Sequence, residues 1–299
     1  MSPGFFTRGL TQRMRLALFG MLGVAMAVEA SAQGGSDIFV ATLQQTGRSV
    51  TIGTPANVTK RAGYDNQPWF TPDGRSLLYT SIGADGQANT WTMPAGGGAP
   101  SRLTNIPIGI YSPTVTPDGK SFSVIRVELD STQRLWKFPL NGGEPTLVLD
   151  SVKPVGYHAW LNPATVVVFV LGEPPTLQVV DVATGKATIV ARNIGRALVK
   201  VPHHDAVNFV QVVPDSGQWL AEYGSATKSV RRLGKLPDSA AYVAWTPRGA
   251  LLTAAGSKIY RWNDGTWVVA ADLTAAGVRN ISRLVVSPEG DKIAFVAED

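Results

Sequence analysis

The stretch Gln67-Pro68-Trp69-Phe70-Thr71-Pro72-Asp73-Gly74-Arg75 decides the fold, because it returns as Ser112-Pro113-Thr114-Val115-Thr116-Pro117-Asp118-Gly119-Lys120. In both copies an apolar run leads into a turn. Thr71 and Thr116 offer a hydroxyl to the turn backbone, proline presets φ, and glycine supplies the positive φ of a tight reversal. Fainter copies follow at His158-Ala159-Trp160-Leu161-Asn162-Pro163, at Ala197-Leu198-Val199-Lys200-Val201-Pro202-His203-His204-Asp205, at Tyr242-Val243-Ala244-Trp245-Thr246-Pro247-Arg248-Gly249 and at Arg283-Leu284-Val285-Val286-Ser287-Pro288-Glu289-Gly290. The six copies recur every ~40 to 46 residues, the period of one four-stranded propeller blade.

Residues 76–80, 121–127, 165–170, 206–211, 250–254 and 292–296 follow the turns and are rich in β-formers, so they read as second strands. Third and fourth strands come next, as in 89–93 with 101–104 and 134–139 with 146–149, separated by turns such as Gly96-Gly97-Gly98 and Gly142-Gly143. The last repeat, 278–299, has room for two strands only. Residues 37–43 and 50–59 supply two more, so residues of about 37–60 should complete the C-terminal blade and close the ring without leaving open sheet edges. The expected fold is therefore all-β, a six-bladed β-propeller over residues 33–299.

Ahead of it, Arg8, Arg13 and Arg15 precede the uncharged run 16–28 and the triplet Ala30-Ser31-Ala32. This layout is that of a secretory signal peptide over residues 1–32, cleaved after Ala32, since so short a run cannot span a bilayer core of about 30 Å. The mature chain should then be periplasmic or secreted, with no membrane span after cleavage. The formal charge of +5 falls to about +3 once the leader is removed. The basic residues are scattered rather than clustered, so nucleic acid is not an expected partner. Cysteine is absent, which leaves core burial to carry stability.

The run Asn57-Val58-Thr59 through Tyr64-Asp65-Asn66 to Asp73-Gly74, and Arg102-Leu103-Thr104 before the second copy, resemble the WD-repeat-like propeller repeats of the TolB family. The resemblance spans nearly all of the mature chain and is weakest in the fourth repeat. It implies the propeller only, because residues 33–36 leave no room for the N-terminal α/β domain of TolB. Similar repeats occur in the propellers of prolyl-oligopeptidase-type peptidases and of oligogalacturonate lyases. The resemblance thus implies a scaffold that hosts several activities.

Chemistry is sparse. The chain has three histidines: His158 at the start of an innermost strand, and His203 and His204 in a turn at the other end of one. At about 3.3 Å per strand residue they should stand roughly 16 to 20 Å apart along the axis, too far to share a metal. No metal or other cofactor is expected. No Gly-x-Ser-x-Gly elbow occurs, and Asp73 and Asp118 read as turn formers rather than general acids. No catalytic residue is assigned.

What remains is a ring of residues expected at the channel entrance: Gln67, Tyr111, Ser112, Tyr157, His158, Arg196, Tyr242 and Arg283. Aromatic, amide and guanidinium groups together suit an envelope protein or peptide, or a polar small ligand. The reading is a non-catalytic binding scaffold. The alternatives are a channel-site lyase or hydrolase acting on carbohydrate or lactone, drawing on His158, Arg283, Asn66 and Asn280, and a carbohydrate or small-ligand sensor.

Overall fold

The computed structural model describes residues 35–298. Residues 1–32, expected to be a signal peptide, lie outside them. In chain order the strands begin with β1 (Ser36–Thr46), β2 (Ser49–Ile52) and β3 (Ala56–Asn57). Blade 1 follows with β4 (Asp65–Phe70), β5 (Ser76–Ile82), β6 (Ala88–Pro94) and β7 (Ser101–Arg102), and blade 2 with β8 (Ile110–Val115), β9 (Ser121–Val127), β10 (Gln133–Pro139) and β11 (Thr146–Leu147). Blade 3 holds β12 (Val155–Asn162), β13 (Thr165–Val170), β14 (Thr176–Asp181) and β15 (Ala187–Arg192). Blade 4 holds β16 (Ile194–Lys200), β17 (Ala206–Val213), β18 (Gly217–Gly224) and β19 (Ser229–Lys235). Blade 5 holds β20 (Val243–Trp245), β21 (Leu251–Ala255), β22 (Lys258–Asn263) and β23 (Thr266–Asp272), and the chain ends in β24 (Leu284–Val286) and β25 (Lys292–Glu298).

Each blade is an antiparallel meander with its first strand innermost, and the sixth blade is built from both ends of the chain in the order β2-β1-β25-β24. The closure pairs Ser36 with Glu298 and runs in register to Thr42 opposite Lys292. The outer strand expected over 50–59 is interrupted. β2 pairs with Leu43 to Thr46, whereas β3 returns to pair with Phe39 and Val40. Between them a Cβ on Gly53 would lie 2.3 Å from the Thr42 hydroxyl, and Pro55 has no N–H to give a ladder.

The largely apolar second strands follow from this architecture. Successive side chains of a strand point to opposite faces, and in a propeller both faces meet a neighbouring blade. Ile293 and Phe295 of β25 enter the core shared with blade 5, while Ala294 and Val296 enter the core shared with blade 1. β13 repeats the pattern, with Val166 and Val168 facing blade 2 and Val167 and Phe169 facing blade 4. Six such clusters, each straddling two adjacent blades, hold the ring together. β4 lies beside β8, β12 beside β16, β16 beside β20, β20 beside β24, and β24 beside β4.

The turn face repeats one piece of chemistry. The Thr71 and Thr116 hydroxyls each lie 2.7 Å from the carboxylate two residues on, Asp73 or Asp118, and accept the N–H of Ser76 or Ser121. Thr246 and Ser287 accept equivalent N–H groups, and Asn162 Oδ1 accepts from Ala164. These bonds, the threonine hydroxyls first, hold the Asp73 and Asp118 carboxyls below their ordinary range. Glycine at the end of one turn also lets the neighbouring turn approach. A Cβ on Gly290 would lie 3.1 Å from Pro247 and one on Gly119 3.5 Å from Pro72, at positive φ in both cases.

Candidate functional site at the channel mouth

The six innermost strands enclose a central cavity of about 440 Å³. At the end opposite the turns, its wall includes Gln67, Ser112, Tyr157, His158, Arg196, Tyr242 and Arg283, seven of the eight residues expected there. Tyr111, the eighth, stands one step back, its ring folded toward Gly109, where an added Cβ would meet it at 3.1 Å. Nearness alone does not make these residues equivalent, because their polar atoms are engaged differently.

Gln67 and Ser112 bind blade to blade. Gln67 Oε1 accepts the Thr80 hydroxyl at 2.7 Å and, across the blade boundary, the Ser112 N–H at 2.7 Å. Both residues sit at positive φ, 59° and 57°, immediately before a proline and inside a register shift of the strand pair. An L-residue held there outside glycine's territory is over-determined by its surroundings, here by the bulge and this hydrogen bond.

His158 is likewise turned into the wall. It is buried, with Nε2 2.6 Å from Ser123 Oγ. The same oxygen accepts Trp160 Nε1–H at 2.9 Å and lies 3.1 Å from the Thr114 carbonyl. The arrangement that satisfies all three contacts has the serine donating to Thr114 while tryptophan and histidine donate to the serine. Nδ1 is then the bare lone pair, and it has no partner. Burial drives the His158 pKa down to about 3, so the ring is neutral. A Ser–His contact of this length resembles a nucleophile and its base, but Ser123 is fully buried and no carboxylate orients the ring. It is a packing device.

The remaining groups face one another. The Arg283 guanidinium lies 4.4 Å from the centroid of the Tyr242 ring and 5.3 Å from that of Tyr157, and Nη2 donates to Tyr157 Oη at 3.4 Å. Arg196, exposed at the rim, hydrogen-bonds Tyr242. Tyr64 joins them, within electrostatic reach of Arg283, Tyr157, Tyr111 and Tyr242. Burial pushes the Tyr64 and Tyr242 hydroxyls well above the usual phenol range despite the neighbouring arginine, so both stay neutral and able to donate. Sequence reasoning missed Tyr64 because it precedes β4, two residues upstream of the position that carries Tyr111 and Tyr157 in the next repeats.

Asn66 and Asn280 are committed elsewhere. Asn66 Oδ1 accepts the Gln67 N–H, and Asn280 donates to Glu298 at 2.6 Å. Trp69 lies half-buried along the channel wall, whereas Trp160 packs in the core between blades 2 and 3. His203 sits in its turn at positive φ with Nε2 3.2 Å from the Pro247 carbonyl. A second depression of about 490 Å³ opens beside it, lined by His203, His204, Glu222, Arg231, Trp245 and Arg248. Glu222 there is already claimed by Arg231 at 2.7 Å.

The fold is that of a six-bladed β-propeller, and solved structures of TolB share it. A TolB-type protein from Agrobacterium tumefaciens superposes with a TM-score of 0.66 at 15% identity, covering 89% of this chain and 98% of that one. TolB from Acinetobacter baumannii gives 0.56 at 13%, covering 88% of this chain and 64% of its own. An oligogalacturonate lyase in complex with manganese gives 0.50 at 17%, covering 87% and 78%. No family model and no curated protein matches the sequence. At these identities the likeness is one of fold, and the lyase's manganese is a case in point: among the described residues no three His, Cys, Asp or Glu side chains gather closely enough to hold a metal ion. No helix among them is long and apolar enough to cross a membrane.

Proposed function

We propose that this chain is a non-catalytic binding platform, exported to the periplasm or beyond, whose channel mouth receives part of an envelope protein, a peptide or a polar small ligand. One observation carries the reading. The side chains turned toward one another at the mouth are tyrosines and arginines, groups suited to area and directed hydrogen bonds, with neither an acid–base pair nor an activated nucleophile among them. The Arg–Tyr stack is preformed, so little ordering entropy opposes a ligand that uses it.

Capture from a bacterial envelope extract tests the reading. The wild-type chain should retain a partner in stoichiometric amount, and Arg283→Glu should release it while leaving the circular dichroism spectrum unchanged. Retention undiminished by Arg283→Glu would sink the assignment of this mouth.

A further inference from the structure

The binding platform proposed above leaves the ligand's chemistry open, and three features of the channel narrow it, provided that the mouth is the binding site. First, Arg283 is held by ring faces and one phenol hydroxyl, and no carboxylate pairs with it among the described residues. A half-buried guanidinium with no carboxylate beside it is open to one, and its planar fork matches a carboxylate in bidentate fashion. The Tyr242 hydroxyl over it does not cancel its charge, because burial holds that phenol in its neutral form. Second, the wall below the mouth is apolar, with Ala197, Val199, Val243, Ala244, Leu284 and Val285 lining it. Third, the strands that form this wall are the innermost strands of their sheets, so one edge of each carries no ladder. Such edges offer N–H and C=O groups to a ligand that has its own.

We propose that the mouth captures the C-terminal carboxylate of a peptide segment ending in an apolar residue, with the carboxylate on Arg283 and the terminal side chain in the apolar shaft. A free phosphate would use the fork and waste the shaft. A simple fatty acid would use both and leave the strand edges unanswered. A peptide C-terminus addresses all three.

The test is equilibrium dialysis of the purified full chain against a random hexapeptide pool prepared in two forms, free acid and C-terminal amide, both N-acetylated, with octanoate as a further arm. The free-acid pool should be retained at least tenfold over the amide, and the retained sequences should be enriched in Leu, Ile, Val or Phe at the last position. Arg283→Met should abolish retention while the melting temperature stays level or rises, because the arginine has no carboxylate partner to lose. Arg283→Lys, which keeps the charge but not the fork, should weaken retention at least tenfold if the methionine variant fails to fold. Equal retention of acid and amide, or none of either, overturns the proposal. So does octanoate binding that matches the best peptides, which would hand the site to small amphiphiles. If a partner is captured from envelope extract while acid and amide behave alike, this proposal falls and the platform reading stands. If nothing is captured from extract either, both fall.

Discussion

The two faces of the ring are built by opposite rules. On the turn face five of the six blades repeat one arrangement, a Thr, Ser or Asn side chain tied to backbone within five residues, and only the fourth, with Val201 before its proline, lacks it. At the mouth no two blades carry the same set of groups, and the hydrogen bonds cross between blades, as Gln67 to Ser112 or Ser123 to His158, or converge on Arg283. Repetition marks what the fold needs of every blade. Departure from it marks where one blade does something the others do not.

Substitutions can break or sharpen this contrast. The core shared by both faces sets the upper end: Phe295 is fully buried and stacks on Phe39 at 5.7 Å, so Phe295→Ala should cost about 3–5 kcal/mol in chemical denaturation and disturb both faces together. On the turn face, Thr116→Val removes the hydroxyl that accepts Ser121 N–H and should cost about 1–2 kcal/mol by the same assay, with partner capture unaffected. A loss of capture there would end the separation of roles between the faces.

The wall of the mouth has a pH signature. His158 is neutral when folded down to pH about 3, whereas the unfolded chain takes up a proton near pH 6.5. Between those values the unfolded state binds more protons, so stability falls as pH drops from 6.5 toward 3, by at most about 1.4 kcal/mol per pH unit from this group. His158→Gln should flatten that part of the stability–pH curve while leaving the region above about pH 7 parallel to wild type. An unchanged acid slope would mean the ring is accessible to protons and not part of the wall. At the lower end, Arg196→Ala removes an exposed side chain and should shift stability by less than about 0.5 kcal/mol. Partner capture should nonetheless weaken measurably.

Much of the fold is legible in the residues because the signals are local. Pro-Asp-Gly turns, hydroxyls one residue before the proline, and second strands rich in β-formers are short-range consequences of hairpin geometry and two-sided burial. The closure of the ring follows from counting strands at the two ends, and the register Ser36 to Glu298 confirms it. What fails is also local in cause. The outer strand expected over 50–59 breaks around Gly53 and Pro55, where a close approach to Thr42 and a missing N–H outweigh the β-rich pattern.

The sites were harder to read. Spacing before the turn proline places a residue at the correct end of its strand, and it brought seven of eight to the channel wall. It cannot say which way a side chain turns, because that depends on bulges and on the neighbouring blade. The Gln67 and His158 side chains are consumed by cross-blade bonds to residues 45 and 35 positions away, while Tyr64, which joins Arg283 and the other tyrosines, lies outside the expected window.

By itself, then, the sequence determined the propeller, its six blades, its composite closure and the opposite placement of His158 from His203 and His204, since all of these rest on period, turn chemistry and chain length. Only the tertiary structure decided that His158 is a wall residue and that Tyr64, Tyr157, Tyr242 and Arg283 form one cluster. The physical reason is that each of those outcomes is a competition between blades for the same polar atoms, settled by packing between segments far apart in the chain.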